Sequence, residues 1–491
     1  MKSTINLNRR VLPTWLRLVL IIAMLMLMGC RTMDTGVATP LADDSLPPQA
    51  TPEAGPETGS ETGTEAGTEP QTETVVPQAT RSIYLPIVAT IQPGPRYFFD
   101  SVNGSDANSG TSPTSPWQSL TKLNAVNYEP GTTIYLRRGS TWTGSWVIDN
   151  SGTPQAPITF TAYGNTELPL PVFRNPGSIS NLTNAVKIRA DYVILEFVRV
   201  QEAQLSGVYI DTGADHNIVR YIEATLTGEG INVHGQYNRV LFNHIHDLTM
   251  VRNTPGGDDD YGAVGVWLFN HYNEVAYNRI INCRAPSYDY GEDGGAVEFY
   301  RDVNGSYIHH NYSFNTKGFT EIGGGTAYDN VIAYNMMVNS GRPLGLHLSG
   351  GFASDIRGLY FENNTVVDTT PEGFAAAILF LGAPATPEML IMRNNIFYLE
   401  NFDKLATSYS FVHEHNIYYL PNGSNSFELG PGEVRGDPLF VDVYGGDYHL
   451  LDSSPAIDSG TDLGYAYDYE GNPVPTGGTP DMGIFEFQFG Q

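Results

Sequence analysis

The stretch that decides the fold runs from residue 294 to residue 339: Gly294-Gly-Ala-Val-Glu298-Phe-Tyr-Arg-Asp302, Ile308-His-His-Asn311-Tyr-Ser-Phe-Asn315, Phe319-Thr-Glu321-Ile-Gly-Gly-Gly325 and Val331-Ile-Ala-Tyr-Asn335-Met-Met-Val-Asn339. One unit is stated twice. A short alternating strand carries a glutamate at its middle, Glu298 and then Glu321. A second alternating strand follows and closes on an asparagine, Asn311 and then Asn335. Alternation means that inward and outward side chains can be told apart residue by residue.

Working outward, Phe197, Ile222, Asn243, Asn278, Asn311, Asn335, Asn364, Asn395 and Asn416 fall in register, at intervals of 25, 21, 35, 33, 24, 29, 31 and 21 residues. The irregular interval suits a parallel β-helix, whose turns absorb insertions, better than an array of fixed period. Stacked at the coil spacing of roughly 4.8 Å, asparagine amides hydrogen-bond from coil to coil and hold the turn backbone. Before the first coil, Ser115-Pro-Trp-Gln-Ser-Leu-Thr-Lys-Leu-Asn124 predicts a helix with Ser115 as N-cap, Pro116 at the first position, and Trp117, Leu120 and Leu123 on one face. Such a helix would cover the open end of a solenoid.

From Tyr97 onward the chain resembles the secreted right-handed parallel β-helix proteins of the pectate-lyase-like superfamily. The carboxyl end carries the likeness further: Gly436-Asp-Pro-Leu-Phe-Val-Asp442, Gly446-Asp-Tyr-His-Leu450, Ser454-Pro-Ala-Ile-Asp-Ser-Gly460 and Pro480-Asp-Met-Gly-Ile-Phe-Glu486 resemble the closing segment of many such proteins. The resemblance implies an all-β, right-handed parallel β-helix over residues 96–491 with an amino-terminal capping helix. It leaves activity open, since polysaccharide lyases, glycoside hydrolases, epimerases and non-catalytic proteins share the fold.

The alternation gives an outward column of Asn232/His234, Gly265/Trp267, Glu298/Tyr300, Glu321/Gly323 and Gly345/His347. Acids, imidazoles and aromatic rings thus gather on consecutive coils and stop at the apolar strand 375–381. The two longest coils bring insertions at Thr249–Tyr261 and Arg284–Asp293, which border this cluster. Trp267, Tyr290, Tyr300 and His234 are the candidate sugar-binding residues. Glu298 and Glu321, on adjacent coils, are the candidate catalytic carboxylates: like charges that close raise one pKa, and a retaining glycosidase needs carboxyl groups about 5–5.5 Å apart. His347 is placed to tune one of them.

Two other readings stay open. The acids, with Asp293, Asp258 and Asp260, are candidate calcium ligands. The superfamily resemblance then implies a lyase, with Lys317 or Arg301 removing the proton beside a sugar carboxylate. Alternatively the solenoid only binds or displays carbohydrate.

Residues 1–30 read as an export signal of lipoprotein type: Lys2, Arg9, Arg10 and Arg17 precede the apolar run Leu18–Met28, and Leu27-Met-Gly-Cys30 resembles a lipobox. Lipidation at Cys30 would anchor the chain to a membrane. Cys283 is then the sole other cysteine, so no disulfide forms within the chain. Residues 31–95 form a linker, almost purely Thr, Glu, Gly, Pro, Ala and Gln between 51 and 74, with an apolar island at Ile83–Val88. The net charge is −27, and −31 once residues 1–29, with four basic and no acidic residues, are removed. Such acidity argues against nucleic acid as a partner and suits an exported monomer acting on an extracellular polysaccharide, a neutral glycan before a polyuronate.

Overall fold

The protein is described by a computed structural model covering residues 94–488 other than 425. The leader with Cys30, the linker up to residue 93 and the island at 83–88 lie outside the described residues. Three parallel sheets of twelve, twelve and nine strands wrap around one apolar core. The first sheet runs from Arg96–Phe99 to Val412–Glu414, the second from Thr141–Thr143 to Val434–Arg435, and the third from Trp146–Ile148 to Ile378–Leu381. Coils in the middle of the solenoid contribute one strand to each sheet. Arg239–Leu241, His244–His246 and Val264–Leu268 make one such coil.

The corner between the first and second sheets explains the asparagine pattern. Asn243, Asn278, Asn311, Asn335, Asn364, Asn395 and Asn416 are all buried, and each Oδ1 accepts the backbone N–H of the corresponding residue one coil earlier. Their Nδ2 groups donate to carbonyls and to the next amide, for example Asn311 to Asn335 at 2.9 Å. The ladder ends on a carboxylate: Asn416 Nδ2 donates to Glu433 Oε1 at 2.8 Å. The residue before each rung is left-handed, with φ between 49° and 57° from Phe197 through Asn394. Phe197 belongs to that left-handed row rather than to the ladder, stacking on Tyr221 at 5.1 Å, and Val198 takes the rung. An apolar β-to-turn boundary gives no polar marker there, which explains the one-residue slip. A second ladder, Asn217, Asn238, Asn273, Ser306 and Asn330, holds the corner before the first sheet.

The capping helix is shorter than expected, Leu120–Ala125, with Ser119 as N-cap accepting from Lys122 N at 3.0 Å. Ser115 and Pro116 are not helical, because Trp117 is drawn into bridge pairing with Phe99, and Asp106 accepts the N–H groups of Gln118 and Ser119. The helix covers the edge of the third sheet. Asn124 accepts from Val147 N and donates to Ser145 O, taking the place of a neighbouring strand.

Residues 436–487 lie along the outside of the solenoid. They bury Phe440, Leu450, Ala456, Met482 and Ile484 against Tyr334, Met336, Val367, Ile396 and Ile417. His244-Ile-His246 is a strand of the second sheet, where His246 Nε2 lies 3.2 Å from Glu223 and Nδ1 lies 2.7 Å from Asp247.

Candidate active site

The outer face of the third sheet presents the column Lys187, Tyr209, Asn232, Trp267, Glu298, Glu321, Gly345, Leu379. Phe299 pairs with Ile322, so Glu298 and Glu321 occupy the same step of adjacent coils. Two positions further along lie His234, Phe269, Tyr300, Gly323 and His347, with the rings of His234 and Phe269 4.1 Å apart. Trp267 therefore stands beside Asn232 and Glu298, and Phe269 is the neighbour of His234. The column expected from alternation set Trp267 two residues out, since a shift of two preserves which face a residue points to.

The two glutamates differ in surroundings. Glu298 is partly buried, and no hydrogen bond reaches its carboxyl from the described residues. Burial holds its pKa well above the ordinary value, and Glu321, Asp293 and Glu229 add to the shift. Glu321 has 60% of its side chain exposed, and its Oε1 lies 2.7 Å from His347 Nε2. The side chains diverge. Glu298 folds back along its strand toward Gly295, and Glu321 reaches up to the next coil.

Asp293 enters from the insertion on the amino-terminal side of Glu298. Burial first, then Glu321 and Asp260, raise its pKa to about 6. Aromatic rings surround the acids. Trp267 lies 5.7 Å from Tyr300 and 6.1 Å from Tyr261, and Phe352 lies 6.1 Å from Tyr300 and 6.3 Å from His347. Phe269, Phe352 and Tyr261 were not singled out in the sequence. Phe269 was legible as the next outward residue after Trp267; Phe352 ends a short 3-10 helix, Gly350–Phe352, where strand alternation says nothing. His234 is stacked between Tyr209 and Phe269, and burial lowers its pKa to about 4, so it is neutral.

The insertions fold as antiparallel hairpins, Met250–Arg252 with Tyr261–Gly262 and Ala285–Ser287 with Gly291–Asp293. Asp260 joins them, accepting from Thr254 N, Ser287 Oγ, Tyr288 N and Asp289 N. Asp259, Asp260 and Asp289 converge, whereas Asp258 accepts the hydroxyl of Tyr290 at 2.5 Å. The calcium set expected from Asp258, Asp260 and Asp293 is thus not assembled. Asp260 spends both oxygens on backbone and hydroxyl donors, and Asp259 pairs with Arg252. This donor set fits a calcium ion poorly. Tyr290 is likewise committed to the hairpins rather than to the rings near Trp267.

The two candidate bases differ in their partners. Lys317 Nζ is held by Glu372 at 2.7 Å and Glu292 at 3.5 Å, and both carboxylates also pair with Arg284. Arg301 is exposed over the ring of Tyr300, with no acid partner among the described residues.

Glu229, two coils before Glu298 and 1% exposed, was not foreseen. It accepts from Ser206 Oγ and Asn232 Nδ2, both at 2.6 Å, yet burial raises its pKa to about 7. A raised carboxyl stabilises the fold most below the unfolded value near 4.5, and that contribution is lost as the pH rises through about 7. Glu229→Gln should therefore gain on the wild type between pH 4.5 and 8 by about 3 kcal/mol, from about 1.4 kcal/mol per unit. Paired denaturant titrations across that range measure it. A constant difference would mean that Glu229 is ionised throughout.

No protein-family model matches the chain. Over 92 residues it is 39% identical to a lacto-N-biosidase of Bifidobacterium longum subsp. longum, a match covering 18% of this chain and 6% of that protein. Among solved structures it resembles the pectate lyase Pel9A, with a TM-score of 0.57 and 17% identity over 82% of this chain and 98% of that one. A rhamnogalacturonan lyase aligns with a TM-score of 0.47 and 15% identity, covering 73% and 96% of the two chains. Three parallel sheets of twelve, twelve and nine strands and the likeness to Pel9A together give this chain the fold of a right-handed parallel β-helix.

Proposed function

We propose that the chain is a carbohydrate-active enzyme that hydrolyses a glycosidic bond of an extracellular glycan, with Glu298 as the proton donor and Glu321 as the carboxylate that activates water. The observation that carries this reading is the contrast within one pair: a Glu298 carboxyl folded back toward Gly295 with no hydrogen-bond partner among the described residues, one coil from a Glu321 carboxyl that is exposed and held by His347. Environments that drive two acids apart are what acid–base division of labour requires. Glu298 gives its proton to the glycosidic oxygen, and Glu321, held by His347, takes a proton from the attacking water. Trp267 and Tyr300 offer ring faces for the sugar. The two carboxyls turn to different neighbours, and with a water activated between them inversion is the expected outcome.

The local likeness to a lacto-N-biosidase, a glycosidase by its name, supports hydrolysis over elimination. So does the engagement of Lys317 with two acids, since a proton-abstracting base must be free of such partners. Export and lipidation at Cys30 belong to the same proposal and would place the solenoid outside the cell, on a tether, against its glycan.

The test is a panel of neutral and acidic glycans, with products identified by mass and the first-formed anomer read by NMR. Hydrolysis with inversion is expected. Unsaturated, ultraviolet-absorbing products would overturn the reading in favour of elimination.

A further inference from the structure

We propose that Gly295 is a positioning residue: the space a side chain at this position would fill is the pocket into which the Glu298 carboxyl folds. The consequence for catalysis rests on the hydrolytic reading above, whereas the geometry stands without it. A Cβ added at Gly295 would overlap Glu298 Oε1 and stand 3.1 Å from its Cδ and 3.2 Å from its Cγ. Its three nearest neighbours are all atoms of that one side chain.

The equivalent step of the preceding coils is filled. Ser206, Glu229, Val264 and Gly295 pair in register, as do Tyr209, Asn232, Trp267 and Glu298 three residues on. On the Glu229 coil, the side chain at the first position receives a hydrogen bond from Asn232 at the second. On the Gly295 coil the first position is empty, and the acid at the second position folds into the vacancy. The next coil provides a contrast. Gly318 lies three residues before Glu321, yet a Cβ added there meets only Arg342 O, at 3.4 Å, because Glu321 turns away to His347.

The pocket is electrically one-sided. The ionisable groups facing Glu298 are Glu321 from the next coil, Asp293 from the hairpin, Glu229 two coils earlier and the buried thiol of Cys283. None can carry a positive charge. Lys317, which acts on Asp293, is neutralised by Glu292 and Glu372. A carboxyl folded into this site has its pKa raised by burial and like charge, and one pushed out toward solvent is released from both.

The experiment uses Gly295→Ala, with Gly318→Ala as its control, in protein labelled with ¹³C at the glutamate carboxyls; Glu298→Gln identifies the Glu298 signal. The expected result is a folded Gly295→Ala protein in which the Glu298 midpoint falls by a unit or more. The alkaline limb of kcat/KM should move down with it, and the rate should fall by about tenfold or more, within the range of acid–base catalysis. Gly318→Ala should leave the midpoint where it is. An unchanged midpoint in Gly295→Ala, or an equal fall in Gly318→Ala, overturns the proposal. A midpoint that falls in a protein cutting no glycan upholds the positioning and overturns the hydrolytic reading alone.

Discussion

Glu298→Gln is expected to lower kcat/KM by about 10²–10⁴-fold while leaving the fold and glycan binding in place. The reason lies in the state of the wild-type group. Burial beside three other acids raises its pKa well above the ordinary value and favours the neutral carboxyl, whose charge and shape the amide nearly reproduces. What the amide lacks is a proton to give to the leaving oxygen. Stability should move the other way. An acid with a raised pKa contributes least above that value, so Glu298→Gln should match the wild type in acid and exceed it in alkali. Activity and denaturation measured on the same preparations across pH separate these effects. A variant retaining a tenth of the activity would remove Glu298 from the role of proton donor.

The fold was legible because its strongest signal is chemical rather than statistical. Seven buried asparagines repeat where only a side chain with both donor and acceptor can join one coil to the next. That fixes coil count and corner position wherever the amide is present, and it fails where the rung is apolar, as at Phe197 and Val198. The facing of the sheet residues was legible for the same reason that their lateral order was not. Alternation has a period of two, so it distinguishes Glu298 from Phe299 and cannot distinguish Trp267 from Phe269 as the neighbour of His234. Backbone pairing settles that, through Asn232 with Trp267 and Trp267 with Glu298.

The insertions were legible as borders of the site but not in their wiring. Asp258, Asp260 and Tyr290 look like ligands when read along the chain, and their partners come from a different coil. Asp260 accepts from Ser287 Oγ at 2.9 Å and Tyr290 donates to Asp258. Glu229 and Gly295 escaped notice because neither is informative alone. A glutamate beside Gly230 suggests a turn, and a glycine beside Gly294 suggests flexibility, until the register sets them in one row with Val264 between.

The register also predicts where the solenoid is most easily broken. Asn335 sits in the middle of the ladder, with its Oδ1 accepting from Asn311 N at 3.0 Å and from Asn311 Nδ2 at 2.9 Å. Its Nδ2 donates to Ile308 O, Ala333 O and Asn364 Oδ1 at 3.0–3.1 Å. Replacing it by alanine leaves the N–H of Asn311 and the carbonyl of Ile308 buried without this partner. At 1–3 kcal/mol for each buried group left unsatisfied, the loss should be about 3 kcal/mol. In a unit of this size that lowers Tm by only about 3–4 °C, because the unfolding entropy is large. Denaturant midpoints are therefore the sharper measure. Asn335→Asp should be worse than alanine, although it keeps the acceptor. An ionised carboxylate there would face the carbonyl of Ile308 and the Oδ1 of Asn364 with no proton to offer either. Asn416 is the informative contrast, since its Nδ2 already donates to a carboxylate, Glu433, which also accepts from Tyr418 Oη and Gly430 N. If the ladder holds coil to coil as an amide chain, the Asp penalty should be large at rung 335 and measurable as a collapse of the denaturant midpoint. Equal, small losses for alanine and aspartate would mean that water satisfies the corner and that packing of the three sheets alone carries the solenoid.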